Sequence, residues 1–132
     1  MSKVKDLRAI FGEVLFDYSR KQALEDGVLV DLNQFIPIRE SGYKFPLACT
    51  AGVWAIIDAA VNNPKHCNDY QGVVWDILHM SRNYQTERWQ TGCLFKVIIT
   101  GAGPEDTYTF KIEYGPGDEG EPVLTIMLLG ED

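Results

Sequence analysis

The hydrophobic period changes once along this 132-residue chain, at Gly92. Before that residue apolar side chains recur at helical spacing, and after it they alternate as half-buried strands require. Helices first and strands last predict an α+β domain, with N-terminal helices packed on a C-terminal three-stranded antiparallel meander. The strands read as 94–100, 107–114 and 122–129, joined by loops at 102–106 and 115–121. In the middle strand Tyr108, Phe110, Ile112 and Tyr114 oppose Thr107, Thr109, Lys111 and Glu113, so one face is expected to be buried and the other wet. The last strand, Val123 to Leu129, is apolar on both faces except at Thr125. That pattern fits a central strand, a covered edge or a subunit contact.

Upstream, Val4, Leu7, Ile10, Phe11, Val14 and Leu15 predict an amphipathic helix over 4–16. Ser19 and Gln22 have the spacing of a capping box for a short helix from Arg20 to Asp26, and Gly27 suits a left-handed C-terminal cap. Residues 28–32 then read as a short strand able to extend the meander. Asn33 starts a turn or helix that Pro37 keeps short, and Gly42 punctuates the segment. Thr50 predicts the N-cap of a buried helix ending at Asn62-Asn63-Pro64. A further helix from about Gly72 to Tyr84 presents Val74, Ile77, Leu78 and Ser81 on one side and Trp75, His79 and Arg82 on another. No repeat or low-complexity linker divides the chain, which predicts a single domain over 1–132.

Composition narrows the function classes. The net charge is −7, and residues 97–132 carry all of it, with eight acidic side chains against Lys111 alone. Sequence-independent nucleic-acid binding needs Lys and Arg to displace phosphate counterions, so direct nucleic-acid contact is not expected. A basic protein surface is the partner that suits this field. No window approaches a membrane span. Asp6, Arg8 and Glu13 interrupt any signal-peptide core, and three unevenly spaced cysteines suit reduced thiols in a cytoplasm.

The candidate sites are few. Asp118, Glu119 and Glu121 sit in a glycine-rich loop, and with Glu131 and Asp132 they form the candidate acidic binding surface. The loop lacks the spacing of a full coordinating loop, so no metal is expected there. Cys49, Cys67, Cys93 and His66 could meet around zinc, but no C-x-x-C pair supports this, and no cofactor is implied. A secondary site is conceivable from Arg20, Asp31, Trp75, Asp76 and His79. Asp76 and His79 lie three apart on one helix, within hydrogen-bonding reach for acid or base work, and Trp75 and Trp89 could anchor a partner. Arg20 with Glu25, Asp26 and Asp31 reads most simply as an intramolecular fastening.

The stretch from Tyr18-Ser19-Arg20 through Glu25-Asp26-Gly27-Val28-Leu29-Val30-Asp31 resembles the opening motif of a family of small uncharacterised proteins found in bacteria and their plasmids and phages. Thr50 to Trp54, Gly72 to Arg82 with Trp75-Asp76, and Gly115-Pro116-Gly117-Asp118 to Gly130-Glu131-Asp132 are similar to later blocks of that family. The resemblance brings no catalytic assignment. Together with the charge it leads to the expectation of a non-enzymatic, cytoplasmic interaction module of a mobile element or its host, extending to inhibition of a nucleic-acid-handling protein. The alternatives are a small enzyme with a cleft around Asp76 and His79, and a homodimer joined through the last strand.

Overall fold

A computed structural model describes residues 19–131 of the chain. The helix expected over 4–16 and the acidic residue Asp132 lie outside the described residues. The fold is α+β, and its sheet has six strands where the sequence pattern predicts three or four. In chain order the elements are α1 (Arg20–Glu25), β1 (Leu29–Asp31), a 3-10 turn (Leu32–Gln34), α2 (Ile38–Ser41), β2 (Leu47–Thr50), α3 (Ala51–Val61) and α4 (Tyr70–Asn83). Four strands follow: β3 (Gln85–Trp89), β4 (Gly92–Ile98), β5 (Thr107–Pro116) and β6 (Pro122–Leu128). The sheet order is β1-β2-β6-β5-β4-β3, antiparallel throughout except where β2 runs parallel to β6.

Local chemistry sets the boundaries. Ser19 Oγ accepts from the Gln22 amide at 2.9 Å, which opens α1. The Gln22 side-chain amide donates forward to Asp26 Oδ1 at 3.0 Å. Gly27 closes the helix at φ 78°, a conformation a side chain disfavours. Asp31 accepts from the Asn33 amide at 2.8 Å and turns the chain out of β1. Thr50 caps α3 through the Val53 amide, and Asp69 caps α4 through the Gly72 amide, so that α4 starts at Tyr70, two residues ahead of the predicted Gly72.

Both long helices cover one face of the sheet. Val53, Ile57 and Ala60 of α3 and Val74, Ile77 and Leu78 of α4 are buried there against Leu47, Cys49, Phe95, Val97, Phe110, Ile112 and Ile126. Phe95 and Phe110 meet edge to face at 6.0 Å across β4 and β5. On the opposite face Arg20 donates to Thr125 Oγ1 and to the Leu124 carbonyl, both at 3.0 Å, and so ties α1 to β6.

Two strands escape the sequence pattern, and each has a physical reason. β2 is only four residues long and runs straight into the cap of α3, so its apolar residues merge with the helical pattern. β3 is an edge strand whose side chains are mostly exposed, so Gln-Thr-Glu-Arg-Trp shows no alternation. Among the three roles open to the last strand, β6 takes the central one. Hydrogen-bonded on both sides, by β2 and β5, it has no free edge for a second copy.

Candidate functional site

The acidic residues that cluster in sequence are spread out in space. Glu105 and Asp106 precede the ten-residue β5 and Asp118 to Glu121 follow it, so about 33 Å of strand separates the two groups. Several of these carboxylates already have partners. Asp118 accepts from the Arg20 amide at 2.6 Å and the Lys21 amide at 3.0 Å, and these two backbone bonds hold its pKa below the ordinary 3.8. Glu121 accepts from the Glu119 amide at 2.9 Å within its own turn. Glu131 accepts from Thr50 Oγ1 and the Leu128 amide, both at 2.8 Å, while its carbonyl accepts from Lys111 Nζ. Burial pulls the Arg20 guanidinium down from its ordinary pKa, and Asp118, Asp31 and Glu121 around it oppose that shift. Arg20 and Asp31 therefore serve as internal fastenings.

The outer side of α4 holds the second predicted group. Trp75 is 47% exposed and stacks on the His79 ring at 4.7 Å, with the planes 10° apart. His79 Nδ1 lies 3.2 Å from Asn83 Nδ2, so its hydrogen-bond partner is Asn83 and not the predicted Asp76. Asp76 borders a shallow depression with Trp75 and Cys67 that does not include His79. Among the described residues no three His, Cys, Asp or Glu side chains gather as a metal site. Cys49 is buried, and that burial, reinforced by Glu131, pushes its thiol up to about 12.

A cleft that the sequence did not mark opens where α4 ends. The inner face of β4 and β5 continues beyond the helix, and β3 turns back beside it. The resulting space, about 450 Å³, falls within the usual range for ligand sites. Cys93, Ile112 and Leu124 line its apolar part, and Tyr43, Gln85, Trp89 and Tyr114 border it. Its cations are Arg82, from the last turn of α4, and Arg88, from β3.

The walls of this cleft are fixed by hydrogen bonds. Ser81 Oγ donates to the Leu78 carbonyl at 2.8 Å, which uses its one proton, so the Tyr43 hydroxyl donates to Ser81 at 2.7 Å. Gln85 Nε2 donates to the Ser81 and Arg82 carbonyls at 2.7 and 2.6 Å and closes the end of α4. Gly42 leaves α2 at φ 85°, and Arg82 passes so close to its backbone that a Cβ there would overlap the guanidinium stem. A side chain at Gly42 would therefore be strained by the turn and would also displace the arginine.

The two arginines carry the electrostatic character of the cleft. Neither has a carboxylate within ion-pair distance among the described residues, where the one such pair is Arg39 with Glu40. Arg82 Nε is buried and has no hydrogen-bond acceptor among them. An unpaired buried donor costs about 1 to 3 kcal/mol and more when charged. The neighbouring hydroxyl and thiol are held protonated: burial raises the pKa of Tyr43 and of Cys93, although Arg88 acts on Cys93 in the other direction. Activated nucleophiles shift the opposite way.

Of these residues, the sequence marked Trp89 as a possible anchor and put Arg82 on the outer side of its helix. Arg88 gave no signal, because only the unforeseen strand β3 brings it beside Arg82. No curated protein and no solved structure matches the chain. A family model matches residues 9–132, and the chain therefore belongs to DUF6573, a family of unknown function.

Proposed function

We propose that this protein is a recognition module that takes up an anionic group of its partner in the cleft between α4 and β3. One observation carries this reading: in a chain of net charge −7, Arg82 and Arg88 border a common apolar-floored space without a carboxylate partner among the described residues. A guanidinium offers planar, paired donors matched to carboxylate or phosphate, and a partly enclosed site strengthens such bonds. The raised pKa values of Tyr43 and Cys93 favour binding over bond-making at this place.

The test is a titration with inorganic phosphate and with succinate, followed by the NMR signals of the Trp89 indole and the arginine side chains. Saturable shifts confined to the cleft are expected. Arg82→Gln and Arg88→Gln are each expected to weaken binding by roughly ten- to a hundredfold, the equivalent of one charged hydrogen bond. Unshifted cleft signals at millimolar concentrations of both anions would overturn the reading.

A second reading keeps the acidic end as the docking surface for a basic protein, reduced to its exposed turn. Glu119 and Glu121 project from that turn beside Asp118, which favours it. Glu131 is already engaged by Thr50 and Leu128. This version fits a cytoplasmic module of a mobile element or its host that occupies the phosphate channel of a nucleic-acid-handling protein. It requires binding that weakens steeply with salt and with neutralisation of Glu119 and Glu121.

A further inference from the structure

We infer that the ligand of this cleft is an extended acidic segment of another protein, which pairs with the edge of β3 left without a strand partner among the described residues and sets one carboxylate against Arg82 and Arg88. The inference rests on the anion reading above and adds the form of the ligand. Its first support is the contrast between the two edges of the sheet. β1, at one edge, has only three residues. β3, at the other edge, has five residues, pairs with β4 on one side, and has no strand partner on the other among the described residues. An unpaired strand edge presents a row of backbone donors and acceptors that an incoming strand can complete.

The second support is register. Arg88 pairs with Cys93 and Gln85 with Phe95, so both stand on the inner, cleft-bearing face. A strand added beside β3 lies about 4.8 Å away and points alternate side chains to that same face. An aspartate or glutamate on the inner face then falls within reach of the guanidinium groups. Its outward neighbours pass Trp89, which is 36% exposed and held by an indole N–H donated to Glu113 at 3.1 Å. The third support is selectivity. Glu87, Arg88 and the irregularity between Gln85 and Glu87 discourage indiscriminate strand pairing, so affinity must come from a segment whose charges fit.

The experiment uses the full chain and a capped seven-residue peptide alternating valine and aspartate. The comparison probes are its asparagine counterpart, the same acidic peptide N-methylated at alternate amides, inorganic phosphate and succinate. The acidic peptide is expected to bind about tenfold or more tightly than the asparagine peptide, a preference that Arg88→Gln removes. N-methylation at the paired amides is expected to cost a similar factor, and the β3 amides should gain protection from hydrogen exchange when the unmethylated acidic peptide is bound. If phosphate and succinate bind in the cleft but the peptide binds no better and is indifferent to N-methylation, strand addition is wrong while the anion reading stands. If none of the probes binds, both fall. If light scattering shows a dimer whose β3 amides are protected without peptide, the edge belongs to a second copy and the inference is overturned.

Discussion

The turn between β5 and β6 and the cleft beside β3 carry opposite charges, and they also differ in how those charges are used. In the turn the carboxylate of Asp118 caps α1, and Glu121 organises its own loop. In the cleft Arg82 and Arg88 have no carboxylate partner among the described residues, and the buried Nε of Arg82 has no acceptor there. A dense run of charge in sequence therefore includes groups that the fold already uses for itself. The better guide is charge that the fold leaves uncommitted, because an engaged group must break its own bonds before it can bind anything else.

The comparison breaks most completely if the core beneath both regions is emptied. Phe110 lies on β5, fully buried against Phe95. Phe110→Ala is expected to cost about 3 to 5 kcal/mol, measured by urea unfolding, with both regions lost together. If the loss is below about 1 kcal/mol, the two regions do not share this core.

A sharper contrast comes from removing one arginine of each kind. Arg20→Met deletes two hydrogen bonds to β6 and is expected to destabilise the fold by about 2 kcal/mol. Arg82→Met removes an unpaired buried donor while keeping the stem that packs over Gly42. It is expected to leave stability unchanged or raise it by up to about 1 kcal/mol while weakening anion binding by roughly ten- to a hundredfold. Equal losses for the two variants, again by urea unfolding, would mean that Arg82 is as structural as Arg20.

The smallest effect concerns pH. The pKa of Asp118 is depressed on folding, so its contribution is present above the ordinary value near 3.8 and disappears as pH falls through the lower folded value. Asp118→Asn is expected to lower the thermal midpoint slightly at neutral pH, and the gap from the parent should close below about pH 4. A gap that persists unchanged at pH 2 would remove the charge-based account of this cap.

Much of the fold was legible because strong local patterns agree with burial. The cap at Thr50, the left-handed Gly27, both long helices, and the alternation of β5 each follow from a few neighbouring residues. What was not legible depends on distant pairing. β2 becomes a strand because β1 and β6 lie beside it, and Gln85–Trp89 becomes one because β4 does. Arg88 could not be assigned to a site without that second pairing. Asp118 looked like a free ligand because its partners, the Arg20 and Lys21 amides, lie nearly a hundred positions earlier.

The placement of β6 between β2 and β5 also sets an order of assembly. The hairpins of β3, β4 and β5 can form as soon as they are made, but β1 and β2 have nothing to join until β6 slides between them and the rest. During synthesis, at roughly 5 to 20 residues per second, two bare strand edges must wait for that last seam to close. The slowest and most aggregation-exposed moment in the life of this chain is therefore expected to come just before Pro122–Leu128 docks.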